Sequence, residues 1–94
     1  MTLDEEVEIY LQCWGRAFRE TRERLGMSQE DLCKKIRISR DTLSQFENGH
    51  RNVSVMVVIN LSRALGMKAE EIGSLGDRYA EERIAAIRAK EKRA

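Results

Sequence analysis

Two short amphipathic segments lie almost back to back between Ser28 and Glu47, in the sequence SQEDLCKKIRISRDTLSQFE. Each follows a serine, and the apolar side chains in each recur at the three- and four-residue spacing of a helix. The few residues between the segments leave no room for a loop. Two helices joined by three or four residues form a helix-turn-helix, and this arrangement constrains the fold more than any other feature of the chain.

Three serines give the same signal for the start of a helix. A serine at the N-cap accepts a hydrogen bond from a free backbone N–H, which favours helices beginning after Ser28, Ser39 and Ser54. In each case the apolar residue before the serine has an apolar partner inside the helix, as in a hydrophobic staple. The pairs are Met27 with Leu32, Ile38 with Leu43, and Val53 with Val58.

Glycines mark the corresponding helix ends. Gly26, Gly49 and Gly66 stand where a residue with a left-handed backbone commonly closes a helix. The starts and stops predict helices over roughly 5–25, 29–36, 40–48, 55–65 and 69–75, followed by a sixth over about 77–92. The chain has no proline and no alternating strand pattern. The predicted fold class is all-α: a compact five-helix domain with an extended first helix and an extra C-terminal helix.

The composition is that of one small domain. Its 94 residues, 41% hydrophobic and 35% charged, suffice for a single modest core. No apolar run reaches membrane-spanning length and the N-terminus is acidic, so we expect a cytoplasmic protein of bacterial or phage origin without membrane contact. Cys13 and Cys33 are too few for a metal site, and the single histidine has no recognisable catalytic partner. We therefore expect no enzyme, no metal and no cofactor.

The flanking helices divide the chain into three parts. We expect an N-terminal extension of the first helix (1–13), a helix-turn-helix domain (14–75) and a charged C-terminal helix or tail (76–94), with a hinge at Gly73–Gly76. The first helix is predicted to bury one stripe, made of Val7, Leu11, Trp14, Phe18, Thr21 and Leu25.

Apolar residues beyond those that a core needs suggest an interface. The fourth helix has more of them than one buried face requires, and the last helix carries a thin apolar stripe. The hypothesis is a dimer interface formed by Met56, Val57, Tyr79, Ile84 and Ile87. The alternative is that other helices of the same chain cover these residues.

Positive charge is concentrated around the second segment although the net charge is only +1. Between residues 34 and 51 there are five bases and two acids. Bases around a helix that enters a groove of a nucleic acid would neutralise its phosphates. A helix face that is merely exposed to solvent has the same composition, so both interpretations stay open.

The order of these elements resembles the lambda-repressor-like helix-turn-helix family, the Xre or Cro/C1 type, over roughly residues 14–75. The resemblance is carried by Arg19 and Arg22, by Ser28-Gln29-Glu30-Asp31-Leu32-Cys33, by Ser39 and Leu43-Ser44-Gln45-Phe46-Glu47-Asn48-Gly49, and by Ala64-Leu65-Gly66. It implies a DNA-binding domain whose second segment is the recognition helix.

The outward side chains early on that helix are the expected base readers, since each type can hydrogen-bond or contact a base edge in the major groove. They are Arg40, Asp41, Thr42 and Gln45. Backbone contacts are expected from Gln29, at a helix N-terminus, and from Arg37, Ser44, Asn48 and Arg51.

Two further expectations concern structure. The resemblance implies an internal salt bridge between Arg22 and Glu47. Arg37 occupies a turn position that is usually glycine in the family, so a left-handed or otherwise strained backbone is expected there.

The leading interpretation is a homodimeric transcriptional regulator on a palindromic double-stranded DNA operator, similar to a phage repressor or a restriction–modification controller. The alternative is an antitoxin or another regulator whose main partner is a protein, held through the C-terminal helix.

Overall fold

The structure, a computed structural model, describes residues 1–93 and contains five helices and no strand in that range. They are α1 (Leu3–Arg24), α2 (Gln29–Lys35), α3 (Arg40–Glu47), α4 (Val55–Ala64) and α5 (Ala69–Arg93). The all-α fold class is confirmed. None of these helices is both long enough and apolar enough to cross a membrane.

The predicted helix boundaries are confirmed in the centre of the chain. The hydroxyl oxygen of Ser28 accepts from the Asp31 N–H at 3.0 Å, and that of Ser39 accepts from the Thr42 N–H at 3.0 Å. Ser54 caps α4 in the same way. The glycines after α1, α3 and α4 have φ values of 71°, 75° and 73°, a conformation that residues with a Cβ rarely adopt.

The core lies where α1 crosses α3 beneath α4. Phe18 and Phe46 meet edge to face with ring centroids 5.4 Å apart, and Leu32, Leu43 and Leu61 are buried around them. Gly15 makes the crossing possible, because a Cβ there would lie 2.1 Å from the carbonyl oxygen of Phe46. A fixed backbone atom thus sets the residue type at position 15.

The C-terminal third differs from its prediction. The two helices expected on either side of Gly73–Gly76 are one continuous helix, α5, so the hinge is wrong. Gly73 and Gly76 are buried against the indole of Trp14, whose Nε1 donates to Asp77 Oδ1 at 2.7 Å. A Cβ at Gly76 would lie 2.7 Å from Trp14 Cδ1. Here the glycines permit close helix packing, which a sequence cannot distinguish from flexibility.

Beyond Trp14 the two long helices continue side by side as an antiparallel pair, called here the α1–α5 arm (residues 3–14 and 76–93). Arg83 donates to Gln12 at 2.8 Å, and Arg88 pairs with Glu6. Ile84, expected at a dimer interface, is instead buried within its own chain with 6% of its surface exposed. The helix is therefore packed against its own chain as far as Ile87, whereas residues 88–93 are exposed.

The predicted stripe of α1 is wrong at both ends. Val7 is 58% exposed and Leu25 is 52% exposed, whereas Cys13 and Ala17 are fully buried. The buried face is shifted because small residues allow α3 and α5 to approach α1 more closely than a row of large side chains would.

Candidate nucleic-acid interface

The turn between α2 and α3 is made by extended backbone. Ile36 ends α2 with φ −133° and ψ 154°, and the Ile38 N–H donates back to the Ile36 carbonyl at 3.0 Å. Arg37 does not have a positive φ, so the left-handed backbone expected there is wrong. The bond between Ile38 and Ile36 closes a three-residue turn centred on Arg37, and the Arg37 side chain is exposed.

Packing determines which face of α3 is outward. Leu43, Phe46 and Glu47 are buried, and they anchor the inner face of the helix against α1 and α2. The four residues expected to read bases share the other side: Arg40 and Asp41 are exposed, and Thr42 and Gln45 are half-buried. Leu43 and Phe46 therefore fix the rotation of α3 that presents this surface.

The outward surface of α3 carries an ordered set of hydrogen bonds. The Thr42 hydroxyl accepts from Ser39 at 2.8 Å and from Arg51 Nη1 at 3.3 Å. Gln45 Nε2 donates to Asp41 Oδ2 at 3.1 Å. Arg51, which follows α3 in the chain, thus lies over the first turn of this helix, on the same surface as the expected base readers.

A buried polar network locks α1, α2 and α3 together. The Arg22 guanidinium binds Glu47 through two hydrogen bonds of 2.8 and 2.9 Å, and a third reaches the Met27 carbonyl at 2.8 Å. Both side chains are almost fully buried. The hydrogen bonds that Arg22 donates to Glu47 raise the pKa of Arg22, against the opposing effect of burial, so the guanidinium stays charged.

Gln29 belongs to the same network, which sequence reasoning missed. Its Nε2 donates to Glu47 Oε1 at 2.9 Å. Gln29 is expected to contact the DNA backbone. The bond to Glu47 uses one N–H of its amide for a contact inside the protein. The second N–H of the amide remains available to donate to a phosphate at the start of α2. Only the geometry of the Arg22–Glu47 pair could have located this bond.

Burial sharpens the local charge imbalance. The five bases between residues 34 and 51 are all exposed, whereas Glu47 is buried and neutralised by Arg22. Asp41 is therefore the one exposed acid against five exposed bases in that segment. Lys34 lies 3.8 Å from Glu30 in an exposed ion pair, which offsets the positive charge of Lys34 only weakly. The surface around α3 is more positive than the composition of the segment indicates.

Residues 1–93 contain no cluster of three or more potential metal ligands among histidine, cysteine, aspartate and glutamate. Burial raises the pKa of both cysteine thiols, Cys13 and Cys33, which opposes formation of the reactive thiolate.

A sequence model of the helix-turn-helix family matches residues 18–72, which is more than half of the chain and includes the whole of α2, α3 and α4. The chain belongs to this family of DNA-binding regulators. Its type is the lambda-repressor-like, or Xre, helix-turn-helix, as the central motifs predict. The matched range begins at Phe18 and ends at Ile72, so Trp14 and Gly15 lie outside it.

Several relatives are named HTH-type transcriptional regulators. One from Archaeoglobus fulgidus is 33% identical over 54 residues, which are 57% of this chain and 77% of the relative. Another, YazB of Bacillus subtilis, is 31% identical over 61 residues, which are 65% of this chain and 88% of the relative.

Two solved structures share the fold. The restriction–modification controller protein C.AhdI from Aeromonas hydrophila is 34% identical, with a TM-score of 0.64 over 66% of this chain and 94% of the controller. The clp gene regulator ClgR from Corynebacterium glutamicum is 25% identical, with a TM-score of 0.70 over 88% of this chain and 84% of that protein.

Proposed function

We propose that this helix-turn-helix regulator binds a specific double-stranded DNA operator by inserting α3 into the major groove. The observation that carries the proposal is the outward surface of α3, where Arg40, Asp41, Thr42 and Gln45 stand together on a helix anchored by buried residues. A rigid helix with polar side chains on one face is what direct reading of base edges requires.

Phosphate contacts would surround the base-reading surface. Arg37 precedes α3 and Arg51 lies over its first turn, and both are exposed. Gln29 lies at the N-terminus of α2, where free N–H groups favour an anion. Ser44 and Asn48, which are hydrogen-bonded to each other at 3.5 Å, lie further along α3. These five residues position the protein on the duplex through phosphate contacts, which do not depend on the base sequence.

The proposed assembly is a homodimer on a palindrome. An apolar groove of about 530 Å³ lies between the first half of α1 and the start of α4, with Val7, Tyr10 and Trp14 on one side and Ile59 on the other. Val55, in its wall, is 74% exposed, and Met56, the next residue in the chain, is 63% exposed. A two-fold dimer brings the same patch of both copies together, so an apolar groove with an exposed valine in its wall is suited to self-association.

The interface residues differ from those expected. Val57 is half-buried and packs against the core, and the first turns of α4 instead expose Val55, Met56 and Ile59. Tyr79 is half-buried, with its hydroxyl donating to Glu20 at 2.9 Å, and Ile87 is half-buried on the arm. We therefore propose the groove, with Val55 and Ile59 in its wall, as the dimer contact.

The test of DNA binding is selection from random duplexes, repeated at two salt concentrations. An enriched inverted repeat with half-sites about 34 Å apart supports the operator and the dimer together. Gln45→Ala should then relax the preference at one position of each half-site, and Arg51→Ala should weaken all sequences alike and lower the salt dependence. Weak binding to every duplex would refute a sequence-specific regulator.

The test of the dimer compares two exposed apolar residues. Val55→Asp should convert a dimer to a monomer in sedimentation analysis, because it places a charge in the wall of the apolar groove. Leu25→Asp is the matched control, since Leu25 is 52% exposed at the end of α1, outside the groove. Equal behaviour of the two variants would reject this interface.

The alternative of an antitoxin-like partner protein held by the C-terminal helix gains no support. Ala80 and Ile84, the apolar residues that would have carried it, are buried within the chain. The proposed place of action is the cytoplasm, on the nucleoid when bound to DNA.

A further inference from the structure

Asp41 is out of place on a surface that meets phosphates. It is exposed on the first turn of α3, among five exposed bases, and a carboxylate there is repelled by DNA. On this surface Asp41 accepts a hydrogen bond from Gln45, whose Nε2 donates to Asp41 Oδ2 at 3.1 Å. The two residues are four apart in the helix, the spacing at which glutamine and aspartate side chains meet.

A glutamine amide can present its donor or its acceptor to a base. Its oxygen accepts and its nitrogen donates, and rotation by half a turn about the last side-chain bond exchanges the two. Adenine offers an acceptor and a donor in the major groove, which one orientation of the amide matches. Guanine offers two acceptors, N7 and O6, which the amide nitrogen alone can approach. A freely rotating amide therefore discriminates poorly between the purines.

An ionised aspartate removes this freedom because a carboxylate only accepts hydrogen bonds. It holds the nitrogen of the Gln45 amide and repels the oxygen. The nitrogen has two hydrogens, so the bond to Asp41 leaves one N–H and the oxygen available in a fixed order. That order is the donor–acceptor pair that adenine matches and that places an oxygen against guanine O6.

We infer that Asp41 is a positioning residue for sequence recognition: it fixes the orientation of the Gln45 amide and so sharpens the base preference at the position that Gln45 contacts. This inference rests on the proposed function, since it needs a specific operator. It assigns Asp41 no base of its own.

The experiment is selection from random duplexes with the full chain and four variants: Gln45→Ala, Asp41→Ala, Asp41→Glu and the Gln45→Ala/Asp41→Ala double variant. Gln45→Ala identifies the base pair that Gln45 reads. We expect Asp41→Ala to reduce the adenine-over-guanine preference at that same base pair by about threefold or more, with other positions unchanged. Asp41→Glu keeps an acceptor-only group and should restore most of the preference. In the double variant, where Gln45 is already absent, the loss of Asp41 should have no further effect at the base pair that Gln45 reads.

The outcomes separate the two proposals. If the wild-type chain enriches no motif, the proposed function fails and this inference with it. If the wild-type chain enriches a motif but Asp41→Ala changes a different base pair, Asp41 reads a base directly and only the inference is overturned. An unchanged preference at every position would also overturn it. Because Asp41 is exposed, circular dichroism of each variant should match that of the wild type.

Discussion

The helix-turn-helix unit and the α1–α5 arm are stabilised in different ways. In the unit, α2 and α3 are fixed by buried leucine and phenylalanine side chains and by the Arg22–Glu47 pair, both of whose side chains are almost fully buried. In the arm, the named polar contacts are partly or wholly exposed, among them the Arg88–Glu6 pair. The unit is thus rigid where a recognition helix must keep its orientation, and the arm depends on close packing at Trp14.

The largest expected effect is the loss of the buried pair. Glu47→Ala leaves the Arg22 guanidinium buried without its carboxylate and removes the partner of Gln29, so the free energy of unfolding should fall by about 3–5 kcal/mol. Chemical denaturation measures it. Glu23→Ala is the control, because Glu23 forms an exposed pair with Arg19 and should cost less than about 1 kcal/mol. Similar losses in the two variants would remove the distinction between buried and exposed pairs.

The next effect concerns glycines with different neighbours. Gly15→Ala places a Cβ against the Phe46 carbonyl oxygen, which is backbone and cannot turn away, so a loss of about 2–3 kcal/mol is expected. In Gly73→Ala, the Cβ meets Trp14 Cη2 at 3.0 Å, the edge of a side chain. The gain in helix propensity, about 1 kcal/mol, should offset most of that contact. A comparable loss in both variants would mean that the packing of α5 on Trp14 is as rigid as the crossing of α1 and α3.

A smaller effect is expected at the root of the arm. Trp14→Phe removes the hydrogen bond to Asp77 and part of the packing against Gly76, and it should cost about 1–2 kcal/mol. Hydrogen exchange should show faster exchange of amides in residues 76–93 while α3 stays protected. Asp77→Asn, which keeps an acceptor, should lose less. Equal acceleration in α3 would show that the two regions unfold as one.

The smallest effect is a pH dependence at the helix starts. Glu5 in the arm accepts hydrogen bonds from Thr2, and Asp31 in the unit accepts them from Ser28. These bonds, chiefly those donated by the backbone N–H, lower the pKa of both carboxyls. A carboxyl whose pKa is lowered by folding stabilises the fold above its unfolded pKa. That contribution is lost as the pH falls through the folded pKa.

Matched amide variants isolate this contribution. Asp31→Asn should lower the melting temperature at pH 7, and the difference from the wild type should shrink as the solution is acidified below pH about 4. Glu5→Gln should change the melting temperature less, because α1 begins at the end of the arm, where local opening precedes global unfolding. Thermal scans from pH 2 to 7 measure both variants. A larger change for Glu5→Gln would reverse the expected ranking of the two regions.

Local signals explain what could be predicted from the sequence. The starts at Ser28, Ser39 and Ser54 depend on one side chain and its own backbone, so the caps are as expected. Gly76 was misread because flexibility and close approach call for the same residue type, and only the position of Trp14 distinguishes them. The exposure of Val7 depends on how far α1 runs beyond α4, which no local pattern contains.

The candidate site also has features that the sequence predicts and features that it does not. The outward residues of α3 follow from helical periodicity once Leu43 and Phe46 are assigned to the core. The bonds of Gln29 to Glu47 and of Arg51 to Thr42 join separate elements. Their geometry depends on how α2 and the segment after α3 are placed, and it had to come from the structure.

The position of the one tryptophan gives the chain a built-in optical reporter. Trp14 lines the apolar groove and also contacts the glycines of α5, so its indole belongs both to the proposed dimer contact and to the packing of the arm. Opening of the arm would hydrate the ring and shift its emission to longer wavelengths, whereas a second copy covering the groove would shift it to shorter ones. Unlabelled protein could thus distinguish dissociation from unfolding by the colour of its fluorescence.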